Sequence, residues 1–209
     1  MDISLVLQSL IYLISRLMLY PVMILLIILV VWTIFELGGF VYEGISRKRN
    51  LSRMEEGTIR ARYLMDENQA EAHDLLNRCN SNRYVREFVQ DILRFKKLPD
   101  PRLERARIEK LLHDYNTKIT KRLEKAGIIA RVGPMLGLMG TLIPMGPALL
   151  GLVNGDMQTL ANNLIIAFGT TVLGLCAGGV GYVIVTIRSR WYDQDMSDIE
   201  YLTEILYGN

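Results

Sequence analysis

Histidine and cysteine are nearly absent from this chain, with two of each among 209 residues. Cys79 lies in a charged segment and Cys176 in an apolar one, so a disulfide between them is not expected and neither gives a metal-ligand spacing. His73 and His113 both fall in the charged segment, where solvated or interhelical roles account for them. No metal and no cofactor is expected. An enzyme is not expected either: there is no His/Glu constellation, no nucleophile paired with a base and no phosphate-cradling glycine loop beside a lysine. The net charge of +2, with basic residues balanced by acidic neighbours, predicts no nucleic-acid partner.

The absence with the most content is that of charge itself. From Val132 to Ile187 the only Asp, Glu, His, Lys or Arg is Asp156, within the turn-like stretch Val153-Asn154-Gly155-Asp156. Each flank exceeds the roughly 20 apolar residues that cross a ~30 Å hydrocarbon core. The pattern predicts two transmembrane helices, 128–153 and 158–187, joined by a minimal tip. A further uncharged run, Leu17 to Phe35, is bracketed by Arg16 and Glu36 and predicts a first span over 17–42. The fold class is therefore an all-α integral membrane protein with three spans.

Charge also sets the expected orientation. Twenty of the 24 Lys+Arg fall between Arg47 and Lys125, and Arg131, Arg188 and Arg190 flank the hairpin on the same side. The positive-inside rule places segment 43–127 and the tail 188–209 in the cytoplasm, with the N-terminus and hairpin tip outside a cell membrane. The apolar N-terminus lacks the basic n-region and cleavage site of a signal peptide. Residues 1–16 read as an interfacial helix on the outer leaflet that turns at Pro21 into the first span, with a partial fourth span as the competing reading.

The cytoplasmic segment has a helical pattern. Tyr84, Val85, Phe88, Ile92 and Leu93 predict a helix from Arg83 to Leu98, with Ser81 or Asn82 as its cap. Leu98-Pro99-Asp100-Pro101 breaks it, and Asp100 followed by Pro101 reads as a new helix start. From Leu103 to Ile129 apolar residues recur at three- and four-residue steps, and no strong breaker intervenes before the membrane. One helix of about 50 residues, ~75 Å long, should run from cytoplasm into the second span. So long a stripe has to be covered; upstream helices can cover part of it, and copies of the same subunit could cover the rest. Leu51–Tyr63 shows no clear pattern.

The hairpin is not plain lipid-facing sequence. Thr141 and Thr171 lie at similar distances from Gly155, roughly 21–24 Å in ideal-helix terms. Hydroxyls at that depth either lock helices together or line a polar path. Pro144 and Pro147 free the carbonyls of Gly140 and Ile143, a defect tolerated where backbone is buried or faces a hydrated cavity. Gly133 and Gly137, and Gly174 and Gly178, form small-residue ridges for close helix approach, and Thr170 extends the second ridge. Neither arm holds an Asp, Glu, His, Lys or Arg in its apolar interior. Glu36, at the end of the first span, is the nearest carboxylate and reads as interfacial, with Arg131 as a candidate partner.

The run Gly133-Pro134-Met135-Leu136-Gly137-Leu138-Met139-Gly140-Thr141-Leu142, followed by Met145 and Ala148-Leu149, resembles the second-span pattern of the MotA/TolQ/ExbB proton-channel family. Ala167-Phe168-Gly169-Thr170-Thr171-Val172-Leu173-Gly174-Leu175 is similar to that family's third-span pattern. The order of spans and the basic intervening segment also agree. The resemblance implies a homopentamer enclosing the single spans of a dimeric partner, whose aspartate binds the proton. It further implies that Thr141, Thr170 and Thr171 belong to the ion pathway, backed by Gly133, Pro134, Gly137, Gly140, Pro144, Gly174 and Gly178. Three features depart from the pattern. Ile166 stands where the TolQ/ExbB branch carries a glutamate, Pro144 replaces a frequent glycine with Pro147 additional, and the extra first spans of the flagellar branch are missing. The competing expectation is a non-conducting membrane scaffold whose threonines and glycines serve packing only.

Overall fold

The computed structural model describes residues 3–47, 51–64, 71–72, 74–76, 82–93 and 101–207. Among these residues five helices are delimited: α1 (Ile3–Ser46), α2 (Leu51–Leu64), α3 (Arg83–Leu93), α4 (Pro101–Val153) and α5 (Met157–Tyr207). No strand occurs among the described residues. Three helices are long and apolar enough to cross a membrane, within Ser9–Ser46, Arg102–Val153 and Met157–Tyr207. The protein is thus all-α, with three candidate spans.

α4 begins at Pro101, whose fixed φ and missing N–H suit the first helical position. It continues for 53 residues through Pro134, Pro144 and Pro147. Each proline forfeits one backbone bond, but ending the helix in apolar surroundings would strand several. The same reasoning corrects the expectation at Pro21. α1 does not turn there and runs unbroken from Ile3 to Ser46. The expected helix over Arg83 to Leu98 is found from Arg83 to Leu93, and its remainder, with Ser81 and Asp100, lies outside the described residues. Leu51–Leu64 is helical despite its irregular pattern.

The chain forms two compact units. The first comprises Met1–Phe40 and Glu124–Thr186. Its core joins Val22, Leu26 and Leu29 of α1 to Ile129 and Leu136 of α4 and Ala177 of α5. On α1 the buried positions are Val22, Leu26, Leu29, Thr33 and Glu36, a seam alternating in steps of four and three. The rest of that helix exposes large apolar residues such as Ile24, Ile28 and Phe35, as lipid or a neighbouring helix would require.

The second unit comprises Val41–Leu123 and Ile187–Asn209. Its core gathers Val85, Phe88 and Ile92 of α3, Ile108, Tyr115 and Ile119 of α4, and Tyr192, Ile199 and Leu202 of α5. Edge-to-face pairs Tyr84–Tyr192 (5.2 Å) and Phe88–Tyr115 (5.3 Å) order it. The apolar stripe of α4 is therefore largely covered within one subunit, with Leu103 left exposed. Residues 188–207 are no loose tail: α5 carries Tyr192, Ile199, Leu202 and Leu206 into the core at helical spacing.

Candidate ion-path site in the α4–α5 hairpin

α4 and α5 meet through backbone, because glycine leaves nothing between them. A Cβ on Gly133 would stand 2.8 Å from the Gly174 carbonyl oxygen and from the Gly178 nitrogen. One on Gly174 would stand 2.6 Å from the Gly133 oxygen and 2.7 Å from Cα of Gly137. Pro134 packs its ring on Gly178, where a Cβ would meet Cδ at 2.5 Å. Gly140 receives Thr170, whose Cβ and Oγ1 would both lie 2.5 Å from an added Cβ. The seven expected packing positions are all helical, and six of them (Gly133, Pro134, Gly137, Gly140, Gly174 and Gly178) form this contact. Pro144 is buried one turn beyond Gly140.

The tip is as short as the sequence requires. Gly155 takes φ 71°, a left-handed conformation that glycine adopts without strain. Asp156 caps α5: its carboxylate accepts from the Thr159 N–H (3.0 Å) and from Thr159 Oγ1 (2.5 Å). These hydrogen bonds, the side-chain one foremost, hold its pKa below the usual carboxylate range. Gly155→Ala should lower the thermal stability of the hairpin by about 1 kcal/mol, measurable by unfolding in detergent.

Gly140 opposite Thr170 fixes the axial register of the three threonines. Thr141 and Thr171 follow on antiparallel helices, so their Cα atoms differ in depth by only ~3 Å. Both are half-buried, whereas Thr170 is 6% exposed and sits inside the helix contact. Every hydroxyl proton is committed to its own helix. Thr141 Oγ1 donates to the Leu138 carbonyl (2.7 Å) and Thr171 Oγ1 to the Ala167 carbonyl (2.9 Å). Thr170 Oγ1 lies 2.9 Å from the carbonyls of both Ile166 and Ala167. Each oxygen keeps acceptor lone pairs, so these groups can receive a hydrogen bond from water or hydronium, or coordinate a cation, without themselves titrating.

Glu36 is buried on α1, which runs antiparallel to α4 in a register set by Tyr12 beside Gly146. It is therefore about 28 Å along the axis from the level of Thr141. Arg131 is exposed, and its Nε donates to the Gly127 carbonyl on its own helix (3.2 Å). The side chain expected to pair with Glu36 thus turns back along α4.

A polar cluster in the second unit went unrecognised in the sequence. Arg188, fully buried, bonds Glu43 through Nε (2.9 Å), and Tyr192 donates its hydroxyl to the same carboxylate (2.8 Å). Burial and the Glu43 charge push the Tyr192 phenol strongly up. One turn on, Asp195 accepts from Arg47 (2.5 and 3.1 Å) and from Asn82 (2.8 Å). Burial, opposed by Arg47 and Asn82, leaves the Asp195 carboxyl above its ordinary range. Arg47 also donates to the Trp191 carbonyl (2.8 Å) and lies over that indole. The available signal was Arg188 and Asp195 falling on the same seven-residue face as Tyr192, Ile199 and Leu202. Asp195→Ala should destabilise the second unit by about 3 kcal/mol, because Arg47 and Asn82 lose their acceptor in a buried setting. Asp195→Asn, which keeps an acceptor, should cost less; thermal unfolding of both variants provides the check.

No curated protein matches the sequence significantly. The family model for the MotA/TolQ/ExbB proton channel family matches residues 80–201, which include α3, the full extent of α4 and most of α5. That match covers more than half of the chain and takes in every threonine and glycine of the hairpin contact, and on it the protein belongs to the MotA/TolQ/ExbB proton channel family.

Proposed function

We propose that this chain is the channel-forming subunit of an energy-coupling motor complex, passing protons and converting their flow into motion of a partner. The observation that carries this reading is the hairpin itself. Two threonine hydroxyls sit at matched depth beside freed proline-site carbonyls, while Val132 to Ile187 holds no Asp, Glu, His, Lys or Arg other than Asp156 at the tip. Such a wall can hydrate and guide an ion but cannot bind a proton covalently, so the protonatable group comes from another chain. The complex that fits is a homo-oligomeric ring, a pentamer by family resemblance, around a dimeric one-span partner carrying an aspartate in its apolar run. The distribution of Lys and Arg supports a cell-membrane orientation with the N-terminus and hairpin tip outside and the charged unit in the cytoplasm. A membrane potential then supplies ~2.3 kcal/mol per charge per 100 mV.

The bonds from all three hydroxyls to their own helices favour a second reading, a non-conducting scaffold. Reconstitution separates the two. The chain alone in liposomes should be nearly silent to an imposed proton gradient. Co-reconstitution with its one-span partner should create flux, and neutralising the partner's membrane aspartate should abolish it. Glu36→Gln should leave that flux largely intact. Conduction by this chain without a partner, or its complete loss with Glu36→Gln, would overturn the division of labour proposed here.

A further inference from the structure

Arg16 is the only basic residue on the tip side of the first unit, and its position along the bundle constrains where the bilayer lies. It lines a cleft of about 380 Å³ together with Ile11, Tyr12, Ser15, Leu142, Ile143, Gly146 and Pro147. Arg16 is therefore level with Leu142 on α4, eleven residues from Arg131, or ~17 Å along the axis. A hydrocarbon slab is ~30 Å thick, so the two arginines cannot both lie outside it. Centring the slab between them places each Cα about 7 Å inside an edge, within snorkelling reach of a headgroup. The helix directions suit this. Helical side chains lean toward the N-terminus, which points α1 side chains to the tip side and α4 side chains to the opposite side. Arg131 reaches back to Gly127, and Arg16 shares its cleft with Tyr12 and Ile11, one turn toward the N-terminus.

At that depth an unpaired guanidinium is costly, and among the described residues Arg16 has no hydrogen-bond or ion-pair partner. The cleft around it is apolar on its α4 side and held open by Gly146, where an added Cβ would just touch the Tyr12 ring at 3.9 Å. We propose that this cleft is a phospholipid site in the leaflet on the hairpin-tip side. Arg16 clasps the phosphodiester, Ser15 and Tyr12 offer hydroxyl donors, and the first carbons of an acyl chain lie along Leu142, Ile143 and Pro147.

Native mass spectrometry of the purified full chain with added phosphatidylglycerol tests this. Wild type should retain phospholipid, and Arg16→Gln should lower its affinity about tenfold through loss of the charged hydrogen bonds. Arg16→Lys should retain part of it. Gly146→Leu, which leaves the arginine but fills the cleft, should also release the lipid, so the idea stays testable if Arg16→Gln fails to fold. Inorganic phosphate should not compete, and a phosphate-free glycolipid with the same chains should bind weakly. Unchanged retention in Arg16→Gln and Gly146→Leu would overturn the proposal, as would equal binding of the phosphate-free lipid. Dissociation of the oligomer by Arg16→Gln with lipid still bound would also overturn it, by assigning the cleft to a second copy of this chain.

Discussion

Gly174→Ala should unseat α5 from α4, with a loss of about 3 kcal/mol or more and a collapse of thermal stability in detergent. The added methyl would meet the Gly133 oxygen at 2.6 Å, Gly137 Cα at 2.7 Å and Gly137 N at 2.9 Å. All three are backbone atoms of a helix, so no rotamer change relieves the clash and the helices must separate. Separation then loses the Gly133–Gly178 and Gly140–Thr170 contacts in the same motion. Gly169→Ala is the matched control. It lies on the same helix with nothing within 4 Å of an added Cβ, and alanine is the better helix former by about 1 kcal/mol. Equal tolerance of the two substitutions would mean that close packing at Gly174 does not hold the hairpin.

Much of this contact could be read from the sequence because small-residue spacing maps directly onto helix faces. Gly133 and Gly137 opposite Gly174 and Gly178 needed only the tip at Gly155 to fix their register. The spans and the 53-residue α4 followed from charge-free length and unbroken periodicity. Other features depend on energies that periodicity does not carry. Pro21 signals a turn in water, where freed carbonyls find solvent; in an apolar helix one lost bond costs less than an exposed end. The stripe from Ile108 to Ile119 was visible, but the whole of its cover was not, because part of that cover comes from Tyr192, Ile199 and Leu202, about 80 residues later. The regular face of Tyr192, Ile199 and Leu202 lies past Ile187, where charged residues interrupt the apolar run.

The candidate site was legible by position and not by bonding. Thr141 and Thr171 lie at matched depth as their distances from the tip required. Thr170 differs from them in environment although it neighbours Thr171. A helix turns 100° per residue, so adjacent threonines face different directions, and only the Gly140 contact reveals which one is inside the pair. Glu43, Arg47, Arg188 and Asp195 escaped notice because charges in a basic, acidic-balanced segment ordinarily mark a solvated face. Their burial depends on partners brought together from α1, the residue that follows it, α5 and the Asn82 turn.

Thr141→Val and Thr171→Val, separately or together, should leave assembly intact while cutting partner-dependent proton flux by roughly tenfold to hundredfold, the range expected for losing a hydrogen bond to a charged group. Valine keeps the branched shape of threonine, and the bonds being deleted run to Leu138 and Ala167 carbonyls within the same helix, so little tertiary structure depends on them. What disappears is the pair of acceptor oxygens facing away from those carbonyls. Thr170→Val supplies the contrast. Its side chain fills the hollow at Gly140, valine fills the same hollow, and flux should stay near that of the wild type. Gly140→Ala should instead damage the fold by pushing on Thr170 at 2.5 Å. Proton flux in liposomes, measured beside native mass of the assembled complex, resolves these outcomes. Full flux from the Thr141→Val/Thr171→Val double variant would return both threonines to helix packing and leave the freed carbonyls of Gly140 and Ile143 as the polar groups that this hairpin offers an ion.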